Sequence, residues 1–307
     1  MRPGTVVVEL RRLAPLHAYR AGSAVAQALP APIAAASGEL MGRLAGHLAG
    51  GRRSMIGRHL QRIEGPELAG AALDAAVDRA FASYGRYWME SFRLPARDPA
   101  DLEASMSYEG IANLEAARAH GRGVIMAMPH LGAWDWGGAW LTASGFPLTV
   151  VAEALDPPEL FDWFSRWRRH LGMTVIPLDR SAGAGVMAAL RSGEVVGLLC
   201  DRDLTGDGIE VEFFGERTRL PAGPATLAVR TGAPLLACCV LFEGDHHRGI
   251  VLPPIDTSRR GGLRSDVERI TQDLADALAS LIRRAPDQWH VFQPNWPSDY
   301  ERAGEQP

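Results

Sequence analysis

Val124, Ile125, Met126, Ala127 and Met128 form an apolar run that stops at Pro129 and leads into His130, Leu131, Gly132, Ala133, Trp134 and Asp135. Five apolar residues closed by a proline suit a buried strand and are too few for a helix. Runs of the same kind recur at 148–152, 174–178, 195–200 and 235–242, separated by helix-length segments near 136–142, 158–171, 185–191 and 223–230. Buried strands alternating with helices call for right-handed crossovers, so the pattern predicts an α/β fold with a mostly parallel central sheet and helices on both faces. In such a sheet the functional groups gather at the carboxyl ends of the strands. His130 stands at one of them.

Outward from this core, Leu68, Leu73, Val77, Phe81, Tyr84, Trp88 and Phe92 repeat at helical steps and predict a long amphipathic helix ended by Pro95. A second helix is expected near 109–120, and a last one through Val267, Ile270, Leu274, Leu278 and Leu281 closes the fold. The chain divides into an N-terminal basic helical extension, 1–65, expected to dock on a membrane, and an α/β domain, 66–307.

Charge supports that division. Residues 1–62 hold nine Arg against Glu9 and Glu39, a balance of +7, so the remaining 23 Arg and 34 acidic residues carry −11. Leu40, Met41, Leu44 and Leu48 fall at helical spacing, Met55, Ile56 and Leu60 continue the apolar face, and Arg43, Arg52, Arg53 and Arg58 decorate the segment. This suits a helix lying on an anionic membrane surface or, equally, a basic helix packed on the domain; Gly42, Gly46, Gly50 and Gly51 weaken any helix here. Nucleic acid is not expected as a partner, because the basic segment lacks interleaved aromatics and the body is acidic.

All 32 basic residues are Arg. Without Lys, a P-loop lysine, a Schiff base and a Ser-Lys pair are excluded, and without G-x-S-x-G there is no nucleophile elbow. Cys200, Cys238 and Cys239 lie in apolar runs with no C-x-x-C spacing, so buried thiols, a reducing compartment and no zinc site are expected. The run 5–10 is interrupted by Glu9 and lacks a signal-peptide core, and the Ala-rich stretch 21–36 is broken by Pro30 and Pro32. A peripheral protein on the cytoplasmic face of the membrane is expected.

A His at a strand's carboxyl end with an Asp five positions on, across a Gly-containing turn, is the make-up of a base and its orienter. His130 would take a proton at Nε2 while Asp135 holds Nδ1. A second group, Asp201, Arg202 and Asp203, follows the run 195–199, and a third is the aromatic helix bearing Phe161, Trp163, Phe164, Arg166, Trp167, Arg168 and Arg169. Further on stand Phe213, Phe214 and Gly215, then Pro221, Ala222, Gly223 and Pro224, and finally Trp289, His290, Val291, Phe292, Gln293, Pro294, Asn295 and Trp296.

Together these blocks resemble the lysophospholipid acyltransferase superfamily, in the branch that holds the lipid A acyltransferases and, nearest to this chain, the actinobacterial phosphatidylinositol mannoside acyltransferases. The resemblance covers Tyr84, Arg86, Tyr87 and Trp88 through Trp296. It implies that His130 and Asp135 are the catalytic H-x-x-x-x-D pair and that Arg168, Asp201, Asp203 and Trp134 bind substrate. It further implies long-chain acyl-CoA, palmitoyl by preference, as co-substrate, a membrane glycolipid as acceptor, and neither cofactor nor metal. Leu204, Thr205 and Gly206 after Asp203, where lipid A enzymes carry His-Gly, lean toward the mannoside branch, as does the segment from Trp289 to Trp296. Asp201 departs from the Glu of that branch.

Rival readings stay open at this point. Asp201, Arg202 and Asp203 also spell the D-x-D of a metal-dependent glycosyltransferase, which leaves His130 and Asp135 without work. Gly183, Gly185 and Ala188 imitate a dinucleotide turn, but four residues separate them from the strand. A lipid-binding module without turnover is the third possibility.

Overall fold

The computed structural model describes the backbone of residues 3–303 and the side chains of residues 12–300. The side chains of the run 5–10 therefore lie outside the described residues. Four helices come first: α1 (Pro3–Ala28), α2 (Ala31–Leu48), α3 (Gly50–Glu64) and α4 (Gly70–Arg93). The α/β body then runs α5 (Pro99–Ala104), β1 (Met106–Glu109), α6 (Ile111–Ala119), β2 (Val124–Met128), α7 (Trp134–Ala143), β3 (Leu148–Ala152), α8 (Pro158–His170), β4 (Thr174–Pro177), α9 (Ala182–Arg191) and β5 (Val195–Leu199). It continues with the hairpin β6 (Ile209–Phe213) and β7 (Glu216–Leu220), then α10 (Gly223–Thr231), β8 (Leu235–Glu243), β9 (His246–Val251), α11 (Leu263–Ile282) and α12 (Pro297–Ala303).

The central sheet has seven strands in the order β1-β9-β8-β2-β5-β3-β4. Every neighbouring pair is parallel except β8 with β9. The parallel α/β sheet expected from the apolar runs is present, and each run forms a strand within one residue of its expected end. Sequence periodicity missed β1, β9 and the β6-β7 hairpin, whose strands mix buried and polar positions and carry no continuous apolar run. Val124, Ile125, Val195, Val196, Leu235 and Leu236 are at most 0% exposed, so the middle of the sheet is covered on both faces. The single apolar runs of sequence have this physical cause.

The N-terminal helices are packed on the body. Tyr19 of α1 meets Trp88 of α4 at 5.2 Å and Phe164 of α8 at 5.1 Å between ring centroids. Helices α2 and α4 lie flush because Gly38, Gly42 and Gly46 face Gly85, Phe81 and Met89; a Cβ at Gly42 would collide with the Phe81 carbonyl. The glycines that weaken α2 in isolation thus permit its closest contact. Gly42→Val is expected to part α2 from α4 and cost about 1–3 kcal/mol. An unchanged melting temperature would contradict this packing.

The apolar face expected to continue from Leu48 to Leu60 is split. The chain breaks between α2 and α3 at Ala49, where φ is −108° and ψ 57°. Leu40, Met41, Leu44 and Leu48 remain exposed on α2, whereas Met55, Ile56 and Leu60 of α3 are buried, the last two against α4. Three of the four arginines of α3 turn inward, Arg53 to Asp78 at 2.5 Å and Arg58 and Arg62 to Asp299 at 3.3 and 2.9 Å, whereas Arg52 is exposed. No described helix is long and apolar enough to cross a membrane.

Candidate active site

His130 stands two residues beyond the end of β2 and Asp201 two residues beyond the end of β5. These strands are paired in register, Met128 opposite Leu199, so the two side chains emerge side by side at one sheet edge. His130 Nδ1 lies 2.6 Å from Asp201 Oδ1, and the His130 backbone N–H donates to Asp201 Oδ2 at 2.8 Å. The indole N–H of Trp289 also donates to Oδ2, at 2.7 Å. Asp201 is fully buried while the His130 side chain keeps 25% of its surface exposed. Burial alone would raise the Asp201 pKa; the facing His130 and the hydrogen bonds from His130 and Trp289 outweigh it and hold the carboxyl below its ordinary range. With Nδ1 occupied, His130 has Nε2 available toward the cavity it lines.

This geometry corrects the expected pairing. Asp135 does not orient His130. It opens α7, and the helix turns its buried carboxylate toward α4 and α8, where Tyr87 Oη donates at 2.6 Å and Arg168 at 3.1 Å from Nε and 3.3 Å from Nη2. Tyr87 is pushed well above its usual pKa by burial and then by the Asp135 charge, so it remains a donor. Burial depresses Arg168, but Asp135 more than compensates and the guanidinium stays charged. Arg168 is therefore engaged by Asp135, and both residues line the same cavity as His130.

The remaining expected residues fall differently. Trp134 lines the cavity, stacked on Tyr87 at 3.9 Å and edge-on to His130 at 5.5 Å. Asp203 faces its own loop, accepting from the backbone N–H groups of Thr205, Gly206 and Gly208 at 3.1, 3.0 and 2.8 Å. Both carboxylates of the D-x-D are thus engaged in internal hydrogen bonds. Among the described residues, no group of three or more His, Cys, Asp and Glu is arranged to hold a metal. All three Cys are buried and their thiols pushed up, Cys239 to about 12, so none supplies a thiolate near neutral pH.

Sequence reasoning missed three cavity neighbours of His130. The His290 backbone N–H donates to the His130 carbonyl at 2.7 Å, its Nε2 meets Ser83 Oγ at 2.9 Å, and its Nδ1 is buried without a partner. Burial and the nearby His130 push His290 down to about 3, so it is neutral in use. Tyr87 and Arg202 also line the cavity. The Trp289–Trp296 segment was conspicuous in sequence, but no local signal says which side chains it brings to His130.

The cavity measures about 620 Å³. Its walls behind His130 are apolar, with Met126, Met128, Leu148 and Val150 from the sheet and Trp140 from α7, while Arg202 and Thr205 stand among its polar residues. An imidazole held by a buried carboxylate beside an apolar cavity has the make-up to activate a hydroxyl against a lipid-borne carbonyl.

Known proteins similar to this chain are acyltransferases. Over 284 residues, 92% of this chain and 91% of the relative, the sequence is 39% identical to a phosphatidylinositol mannoside acyltransferase of Mycolicibacterium smegmatis. It is 40% identical over 258 residues to the protein of that description in Mycobacterium tuberculosis, covering 82% of this chain and 80% of the relative. A lipid A biosynthesis acyltransferase of Haemophilus influenzae is 22% identical, with 80% and 75% covered. Residues 8–298 match the family model described as bacterial lipid A biosynthesis acyltransferase, and the chain belongs to that acyltransferase family.

Proposed function

We propose that the protein transfers a long-chain acyl group, palmitoyl by preference, from acyl-CoA to a mannose hydroxyl of a phosphatidylinositol mannoside. The observation that carries this reading is the His130–Asp201 pair at the edge of the apolar cavity; the mannoside acceptor is supported by the two mycobacterial relatives. His130 Nε2 takes the hydroxyl proton as the oxygen attacks the thioester carbonyl, and Asp201 stabilises the imidazolium that forms. The C–S bond then breaks, and the imidazolium returns the proton to the departing thiolate. The acyl chain occupies the apolar walls, and Arg202 faces phosphate at the polar end.

Given palmitoyl-CoA and a mannosylated phosphatidylinositol, the purified protein is expected to release CoA and yield a lipid heavier by one acyl chain, esterified on mannose. Faster acylation of a lipid A precursor, or an ester on glycerol, would point to the lipid A-type or lysophospholipid activity instead. Activity that vanished in EDTA and returned with Mn or Mg would favour the glycosyltransferase.

Membrane docking is assigned to the exposed face of α2 on the cytoplasmic side. Leu40, Met41 and Leu44 are 52–57% exposed and Leu48 is 90% exposed, while the opposite face is packed on α4. Because three of the four α3 arginines are paired inward and Arg52 alone of them is exposed, insertion of these apolar side chains carries more of the binding than charge does. Leu44→Asp with Leu48→Asp is expected to weaken vesicle binding by about a hundredfold, each lost leucine being worth roughly 1.5 kcal/mol. Sedimentation with anionic and neutral vesicles measures it, and unaltered binding would remove α2 from the interface.

A further inference from the structure

Among the described residues, Asp201 is the one carboxylate bonded to His130, and its placement depends on the chain that follows α11. Oδ1 faces the imidazole, whereas Oδ2 receives the His130 backbone N–H at 2.8 Å and the Trp289 indole N–H at 2.7 Å. We propose that Trp289 is a positioning residue for acyl transfer: through its N–H it fixes the rotation of the Asp201 carboxylate and draws charge from it, and so sets the aim and basicity of His130. This rests on the reading of His130 as the base.

Three observations support it. Trp289 is 3% exposed and does not line the cavity, so it acts on substrate only through other groups. Its ring is held among Phe213, Trp296 and His59, with centroids 6.3, 6.1 and 5.3 Å away, so the N–H has one fixed direction. The same segment grips both members of the pair. Trp289 bridges Leu131, the His290 N–H donates to the His130 carbonyl at 2.7 Å, and Asn295 Nδ2 donates to the Asp201 carbonyl at 3.1 Å.

An aromatic ring alone would fill this space; the N–H adds a charge-assisted hydrogen bond at the orienting carboxylate. Removing it concentrates negative charge on Asp201, which favours the imidazolium and moves the acid limb of the rate profile upward. It also lets the carboxylate turn, so fewer imidazoles present Nε2 to the hydroxyl. Other titratable groups around the pair are Cys200, His290 and His59, the last bonded to Asp299. Burial pushes both histidines down and the thiol up, so each keeps its neutral form near neutral pH. Arg202, which lines the cavity, is the basic residue next to Asp201 in the chain.

The test uses the full chain with Trp289→Phe and, since phenylalanine leaves a gap, a second variant carrying benzothienylalanine at 289, which keeps the ring system without the N–H. His130→Ala is run alongside, with palmitoyl-CoA and a mannosylated phosphatidylinositol. Both 289 variants are expected to lose about ten- to a hundredfold in kcat with KM nearly unchanged. The acid limb should rise by about half to one pH unit. Wild-type kcat and profile in both variants, while His130→Ala is inactive, would overturn the role of Trp289 and leave the base in place. Loss of folding in the benzothienylalanine variant, or a lower kcat with an unmoved limb, would reduce Trp289 to packing. Retained turnover in His130→Ala would remove the base, and the positioning role with it.

Discussion

His130→Ala is expected to lower CoA release by about a hundred- to ten-thousand-fold, the usual contribution of a positioned general base. The fold should survive. The imidazole is partly exposed, and Asp201 keeps hydrogen bonds from the His130 backbone and from Trp289 when it is gone. One lost partner on a buried carboxylate costs about 1–3 kcal/mol, visible as a lower melting temperature but short of unfolding. Asp201→Asn should approach the same rate, because the amide cannot stabilise an imidazolium and turns an N–H toward one of the donors that the carboxylate accepts. Near-native turnover in His130→Ala, measured as thiol release, would end the proposed mechanism.

Arg168→Ala is expected to have the largest effect on stability, about 3–5 kcal/mol, because it strands the buried Asp135 carboxylate with Tyr87 as its remaining partner. Asp135→Ala should cost somewhat less, because the guanidinium it leaves unpaired is only partly buried. Arg168→Met combined with Asp135→Leu should recover much of the loss, since two apolar side chains leave no charge to solvate. Urea unfolding of the four chains measures the coupling. A loss under about 1 kcal/mol for Arg168→Ala, or a double variant no more stable than the single one, would show that this pair is not the brace between α4, α7 and α8. The distinction matters for function: loss of activity in an Asp135 variant follows from loss of this brace, whereas loss in an Asp201 variant follows from the base itself.

The strands and the site's general place were legible in the sequence. Full burial of a parallel sheet forces each central strand to be apolar at consecutive positions, a local property, and Val124 to Met128 displays it without reference to any other part of the chain. His130 could likewise be singled out, because a strand's carboxyl end is recognisable from the run that precedes it. Residues 40–60 were half legible: the apolar positions showed, but the close contact of Gly42 with Phe81 and the break at Ala49 decide which of them face the protein.

Which carboxylate serves His130 could be settled only by tertiary structure. Asp135 is five residues away along the chain and Asp201 seventy-one, yet β5 enters the sheet directly beside β2 and carries Asp201 to the imidazole. Helix α7 meanwhile begins one residue before Asp135 and turns it to Tyr87 and Arg168. Sequence spacing records which residues follow a strand end. Strand order, set by how the helices pack across the sheet, decides which strand ends are neighbours, and no local pattern encodes that.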